Sequence, residues 1–338
     1  MKKLPKYIQI KEQLMAEIRS GKLCHGEQLP VREALIHHFS VTRATLNKAL
    51  QELISEGWLT AIRNRGTFVS APITQLKVAI ITPTTSAPTL TSGITSAYDF
   101  SALMYGMISA MNHPVSFHSP EEFIGKLQKI TNYDLVIWIM PPDEILGAIR
   151  PFRHKVLVIN RYMDDLNFIS TNHRAATAEI TEYFIKRFAG KCKLFYLDID
   201  QQSFFIDERR NGFIDSCAKY DKFYQVIKFK ANNHQHNLAL MNNLKLDASC
   251  PNIIVSGSRS NTGAVLQMAR EQHLQLNKNI FYADFDNIDS EQETGVKITS
   301  ILQDFLQMGQ QIATVISEFS NKPIKIYIPH EIVNKPGD

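Results

Sequence analysis

The hydrophobic pattern of this chain changes period once, near residue 77, and that change fixes most of what the chain can become. Upstream, apolar residues recur three or four apart. Tyr7, Ile10, Leu14 and Ile18 share one helical face, and Leu46, Leu50, Leu53 and Ile54 share another. Downstream, short unbroken apolar runs (Val78–Ile81, Leu135–Met140, Val156–Ile159, Leu194–Leu197, Ile253–Val255, Ile280–Ala283) alternate with amphipathic stretches (Phe100–Met111, Ala175–Phe188, Glu208–Ala218, Thr262–His273, Phe305–Phe319). Strands that are apolar on both faces and separated by helices make a parallel sheet covered on both sides. At least six such units in about 260 residues fit an α/β domain of two doubly wound lobes facing each other, with ligands expected beyond the C-terminal strand ends.

The segment before the change reads as a separate small domain, residues 1–70, joined by a linker at 71–76 to a second domain at 77–338. Its first helix ends at Gly21. A second helical stretch carrying Ala34, Leu35 and Phe39 follows Leu29-Pro30, and Ser40-Val41 makes a tight link to a third. Thr42 is the expected N-cap of that third helix, which runs to about Glu56 and stops at Gly57. Trp58–Ile62, the turn Arg63-Asn64-Arg65-Gly66 and Thr67–Val69 then read as strand, turn and strand. Helix, helix, short turn, helix and hairpin make a winged helix-turn-helix. Charge agrees with that reading. Residues 1–72 hold 11 Lys and Arg against 6 Asp and Glu, whereas the rest holds 26 against 27. A basic module on a neutral body points to a polyanion for one part and another task for the other. The helix opening at Thr42 is expected to enter the major groove of double-stranded DNA, and the hairpin tip to reach the adjacent backbone or minor groove.

Within this segment, Gly26-Glu27-Gln28-Leu29-Pro30, Val41-Thr42-Arg43-x-Thr45-Leu46, Ala49-Leu50-x-x-Leu53, Glu56-Gly57 and Arg65-Gly66-Thr67-Phe68-Val69 resemble the GntR-type DNA-binding domain over residues 4–70. The resemblance implies phosphate and base contacts from Arg43, Thr45 and the wing residues Arg65 and Gly66, with Thr42, Lys48 and Arg63 beside them. Two departures imply an altered operator. The family's backbone-contacting arginine falls on Glu33, leaving Arg32 as a displaced substitute, and Asn47 stands where an arginine is common.

Residues 77–335 resemble the effector domain of LacI/GalR-type repressors, which is itself periplasmic-binding-protein-like. The motifs are Val158-Ile159-Asn160-Arg161, Glu208-Arg209-Arg210-Asn211-Gly212-Phe213, Asp284-Phe285-Asp286-Asn287, Met308-Gly309 and Pro329-His330-Glu331-Ile332-Val333. The resemblance implies that Arg209 and Asp286 hydrogen-bond sugar hydroxyls, as a guanidinium fork and a carboxylate can. Ser258 stands near the family's usual Asn-Asp anchor, and Asn172-His173 where Asp-Asn often follows a strand. Asn160 ends a strand, with Arg161 beside it, and the two read either as ligand contacts or as groups fixing the lobe interface. Trp138 reads as a sugar-stacking ring or a core indole. Tyr98 and Asp99 follow a Ser/Thr-rich stretch, 84–97, that can lead them to the same place. On bland readings Arg209 pairs with Asp207 or Glu208 on a helix surface, and Asp286 is a turn or cap residue. His37 and His38 read as solvent-facing, and His234-x-His236 as part of a polar loop.

Several classes fall away. No window approaches about 18 uninterrupted apolar residues, so no membrane helix is expected. The basic N-terminus lacks an apolar core for export, and Cys24, Cys192, Cys217 and Cys250 are scattered. Both features point to the reducing cytoplasm, without disulfide, zinc or other cofactor. Catalytic signatures such as G-x-S-x-G, H-E-x-x-H or a Walker loop do not occur, and Asp284–Asp289 fails as a calcium loop because Ile288 takes a ligand position. A GntR-type reader fused to an aminotransferase-like enzyme needs well over 300 residues after the reader, and about 265 remain. A transport-type sugar-binding protein has no DNA reader. The expectation is therefore a non-enzymatic, homodimeric repressor similar to the arabinose-repressor type. It would bind a palindromic operator and respond to a small sugar such as L-arabinose or L-fucose. The alternative is a regulator whose second domain takes a non-sugar ligand or serves dimerisation alone.

Overall fold

Two units make up the chain, Met1–Leu76 and Lys77–Asp338, in a computed structural model. The structure describes residues 5–19, 22–23, 26–63, 65–70, 76–82, 97–108, 115–189, 191–200, 203–230, 233–286, 295–318 and 322–336, with the backbone alone at 19 and 97–100.

The first unit has helices α1 (Lys6–Arg19), α2 (Arg32–Phe39) and α3 (Arg43–Ser55) and the hairpin β1 (Leu59–Ile62) and β2 (Gly66–Val69). The spacing of Ile10, Leu14 and Ile18 buries them against Leu46, Ala49, Leu50 and Leu53 of α3, with Leu35 and Trp58 closing the core. The hairpin is antiparallel, with Leu59 opposite Val69 and Ile62 opposite Gly66. The extended stretch before α2 pairs with its outer strand: Leu29 N–H donates to Thr67 O at 2.8 Å, and Val69 N–H to Glu27 O at 2.8 Å. The wing is thereby tied to the helical core on both sides.

In the second unit, two six-stranded sheets repeat one topology. The first lobe holds β3 (Val78–Ile81), β4 (Val115–His118), β5 (Leu135–Ile139), β6 (Val156–Ile159), β7 (Asn167–Thr171) and β13 (Lys325–Ile328), in the order β4-β3-β5-β6-β7-β13 and all parallel. The second holds β8 (Lys193–Ile199), β9 (Tyr224–Phe229), β10 (Asn252–Ser256), β11 (Ile280–Phe285), β12 (Thr299–Gln303) and β14 (His330–Val333), in the order β9-β8-β10-β11-β12-β14, with only β14 antiparallel to its neighbour among these pairs. The helices are α4 (Ala97–Ile108), α5 (Asp143–Ala148), α6 (His173–Arg187), α7 (Phe204–Lys219), α8 (His234–Asn242), α9 (Thr262–Glu271) and α10 (Phe305–Ser317). The chain passes between lobes after β7, after β12 and after β13. Both faces of the second sheet are covered. Ala176, Ile180, Phe184 and Phe213 of α6 and α7 pack on one side, and Met241, Val265, Met268 and Ala269 of α8 and α9 on the other.

The six apolar runs all lie on strands, save that Met140 falls just past the end of β5. The strands they do not include (β4, β7, β9, β12, β13 and β14) are edge strands with mixed patterns, or carry polar residues into the interior. β7 buries Ser170 and Thr171, and β12 buries Thr299 and Ser300. One loop expectation is overturned. His234 and His236 open α8, because Asn233 Oδ1 caps it by accepting from His236 N–H at 3.1 Å. His37 and His38 are exposed on α2, as expected.

Candidate functional site

In the first unit the polar residues gather on the exposed start of α3 and at the hairpin turn. Thr42 caps α3: its Oγ1 accepts from Thr45 N–H at 3.3 Å and lies 2.9 Å from Thr45 Oγ1. Both hydroxyls are thus held at the end of the helix where free N–H groups and the positive end of the helix dipole favour an anion. Arg43 and Lys48 are exposed, and Lys48 Nζ sits 4.0 Å from the centre of the Tyr7 ring. Arg32 opens α2 and is exposed, as are Arg63 and Arg65 at the hairpin. Gly66 has φ +118°, and a Cβ there would lie 2.5 Å from Gln28 Nε2, the same nitrogen that donates to Arg65 O at 2.7 Å. Asn47 is half-buried, and its Oδ1 is shielded from solvent with no hydrogen-bond partner among the described residues. Asn64 lies outside the described residues.

In the second unit a buried polar cluster forms where β6, β7, β10, β11 and β12 end. Arg209, in the second turn of α7, is 3% exposed, with its guanidinium carbon over the Phe285 ring, 3.7 Å from the ring centre. Its Nη1 donates to Gly257 O at 2.7 Å, and Nε and Nη2 both reach His173 Nδ1 at 3.4 Å. Since Nδ1 accepts, the His173 proton belongs on Nε2. Burial, reinforced by Arg209 and Arg161, holds His173 well below the usual histidine range, so it is neutral. Asp286 has φ +56° and is 4% exposed. Its oxygens accept from Gln303 Nε2 at 2.7 Å and Gln303 N–H at 3.3 Å, and its charge favours the protonated form of Arg209. Asn160, φ +54°, is fully buried, and neither its Oδ1 nor its Nδ2 has a hydrogen-bond partner among the described residues. Its carbonyl accepts from Arg161 Nη1 at 2.7 Å.

Of the residues expected to meet a ligand, Arg209, Asp286 and Asn160 reach this cluster. Ser258 adjoins it through Gly257, with its Oγ accepting from Ser260 N–H at 3.2 Å. Trp138 does not. It lies fully buried on the helix-covered face of β5 beside Val136 and edge-on to Phe123, so it is a core indole rather than a ring that stacks on a ligand. The side chains of Tyr98 and Asp99, and residues 84–96, lie outside the described residues. Sequence reasoning gave His173 no ligand role of its own and missed Gln303. Asn172-His173 was visible as a polar pair, whereas Gln303 ends a strand that the apolar pattern does not reveal. Among the described residues no group of three His, Cys, Asp or Glu is placed to hold a metal, and no helix is long and apolar enough to cross a membrane. A surface cavity lined by Arg153, His154, Asp164, Lys322 and Lys325 lies at the opposite, N-terminal ends of β5, β7 and β13 and includes none of the cluster residues.

Residues 6–69 match the family of bacterial regulatory proteins, gntR family. The chain is 37% identical over 97 residues to the arabinose metabolism transcriptional repressor of Geobacillus stearothermophilus, covering 29% of this chain and 24% of that one. It is 41% identical over 69 residues to the HTH-type transcriptional repressor NagR of Bacillus subtilis, covering 20% and 28%. The chain thus spans about a quarter of the length of these curated relatives. Solved structures align with 78% of it. They include a probable maltose operon transcriptional repressor of Staphylococcus aureus (TM-score 0.62, 17% identity, 97% of that chain) and a LacI-family regulatory protein of Chloroflexus aggregans (TM-score 0.63, 14% identity, 98% of that chain). At such identities the likeness is one of fold. The first unit is a gntR-family helix-turn-helix domain, and the second carries the two-lobed α/β fold of LacI-family regulators.

Proposed function

We propose that this protein is a cytoplasmic, homodimeric transcriptional repressor of a sugar-utilisation operon. Residues 1–70 would read a palindromic operator, and residues 77–338 would bind a small carbohydrate and provide the dimer contact. The observation that carries the reading is the pairing of two unlike surfaces in one chain. One unit exposes cations and a capped helix start. The other encloses Arg209, Asp286 and Asn160, whose buried amide has no partner among the described residues. The first arrangement suits a hydrated polyanion and the second a small polar ligand. Resemblance to arabinose-repressor-type proteins makes L-arabinose and L-fucose the neutral sugars to try first. Sugar binding relieves repression in this reading, and the protein works by binding rather than by catalysis. A ligand that moves such a protein from 1:99 to 99:1 between two arrangements must prefer one of them by about 5.5 kcal/mol.

The test uses the full chain and duplex DNA that it selects from a randomised pool. Arg43→Ala should weaken DNA binding by about tenfold and lower the salt slope by about one. Arg209→Ala should hold DNA normally yet no longer release it when sugar is added. Sugar release that persists in Arg209→Ala removes this cluster from the switch. DNA affinity indifferent to every ligand leaves dimerisation as the role of the second unit.

A further inference from the structure

The buried cluster draws its residues from both lobes, and the first lobe meets the second at the start of α7, the helix that carries Arg209. That helix lies between β8 and β9 of the second lobe. Asp143, which opens α5 in the first lobe, passes a carboxylate oxygen across: its Oδ2 accepts from the N–H of Phe204, the first residue of α7, at 2.5 Å. Ser203, in the capping position, makes no side-chain cap bond. A carboxylate from the other lobe therefore caps the helix, at the end where the helix dipole favours negative charge. The Phe204 side chain packs against the first lobe's core, edge-on to Tyr162 with ring centres 5.2 Å apart. One turn further along α7, Glu208 Oε2 accepts from Tyr162 O–H at 2.7 Å. Burial, with the Glu208 carboxylate beside it, pushes the Tyr162 phenol up, so it stays protonated and donates. Between these two bonds, the guanidinium carbon of Arg161 lies 4.0 Å from the centre of the Phe205 ring. Positions 204, 205 and 208 of α7 are thus engaged by the first lobe, and Arg209 follows directly.

We propose that Asp143, Tyr162 and Glu208 are positioning residues that latch the first lobe, with Asn160 and Arg161, onto the helix carrying Arg209, and so bring the two halves of the buried cluster together. Both cross-lobe hydrogen bonds end on a carboxylate, and such charge-assisted bonds are about twice as strong as neutral ones. Each is made only while the lobes are closed, so losing either raises the share of the open arrangement. Neither is a bond of Arg209 itself, which donates to Gly257 O and His173 Nδ1 within the second lobe. The latch acts whatever ligand the cluster takes.

The experiment is modification of the full chain by the arginine reagent phenylglyoxal, followed residue by residue by peptide mass spectrometry. Arg161 and Arg209 are each 3% exposed and should react when the lobes part, whereas the exposed Arg270 of α9 reacts in either arrangement and serves as the reference. Tyr162→Phe and Asp143→Ala should each speed modification of Arg161 and Arg209 about tenfold relative to Arg270. Asp143→Asn keeps an acceptor oxygen and should restore most of the protection. Tyr162→Phe removes one oxygen atom and keeps the ring against Phe204, so it carries the test should Asp143→Ala not fold. Unchanged rates at Arg161 and Arg209 in Tyr162→Phe overturn the latch. An equal gain in maleimide labelling of Cys217, buried in the core of the second lobe, marks a general loosening of the fold and overturns it as well. Either result leaves the sugar-regulator reading to its own test by sugar release.

Discussion

The two units place their polar side chains in opposite ways. In the first, Arg32, Thr42, Arg43, Lys48, Arg63 and Arg65 stand on the surface. In the second, Asn160, Arg161, His173, Arg209 and Asp286 are nearly sealed from water, and burial dominates the shifts of His173 and both arginines. The contrast fits what each surface is proposed to recognise. A polyanion is met by hydrated charges that gain free energy when counterions leave, so no dehydration is needed beforehand. A small ligand offers few contacts, and each must be made to a group already stripped of water and held in place. Holding such groups destabilises a fold, and the rest of the second unit must offset that cost.

The largest test of the contrast lies in the glycines. In α4 and α10 the backbones meet at Gly106 and Gly309, and a Cβ on Gly309 would lie 2.1 Å from Leu103 O and 2.8 Å from Met107 N. Those are backbone atoms that yield only if the helices separate. Gly309→Ala should therefore cost about 3 kcal/mol or more, near the upper end for overpacking. Gly66→Ala in the first unit meets the end of a flexible Gln28 side chain, and its main penalty is the positive φ, about 1–2 kcal/mol. Denaturant unfolding of the two variants checks the ranking. Equal costs would show that the second unit is no more tightly built than the first.

A smaller effect separates the units by pH. His173 is neutral when folded and has an ordinary pKa of about 6.5 when unfolded, so the unfolded chain binds more protons below that pH. The stability His173 contributes is complete above about pH 6.5 and falls by about 1.4 kcal/mol per unit as the pH drops below it. Unfolding of the chain and of His173→Gln between pH 7.5 and 5.5 should show the slope shrinking in the variant. An unchanged slope would mean that His173 titrates normally in the fold.

How much of this was legible depended on whether the signal was local. The first unit was read from contiguous residues: the Thr42 cap, the stripe Leu46, Leu50 and Leu53, and the Arg65-Gly66 turn all act within a few positions of themselves. The second unit's site is assembled from strand ends more than a hundred residues apart. Arg209 and Asp286 were found through short motifs and Asn160 through its place after an apolar run. Gln303 was hidden because β12 buries Thr299 and Ser300, so no apolar run announced the strand it ends. His173 was seen beside Asn172 but without a role, since β7 before it buries Ser170 and Thr171 in the same way. The sequence left Trp138 between two readings for a related reason. Its position near a strand end was visible, but which sheet face it occupies depends on the register with Ile81 and Val158, and that register places it in the core with Phe123.

The smallest effect gives the finest comparison, because it sets the same local device in both surroundings. Thr42 caps α3 and Asn172 caps α6, whose Oδ1 accepts from Ala175 N–H at 3.0 Å. An N-cap satisfies a helix's own N–H groups, so its energy is local, and Ala substitution costs about 1 kcal/mol in either unit. Thr42→Ala should lose that much, and Thr42→Ser should restore most of it. Asn172→Ala should match it only if the cap acts alone. Asn172 directly precedes His173, and the cap sets where α6 begins, hence where His173 meets Arg209. A cost for Asn172→Ala well above that for Thr42→Ala, together with weaker ligand stabilisation, would show that the buried cluster is coupled to its helix start. Equal costs would show that Arg209 and Phe285 hold His173 in place without help from the cap.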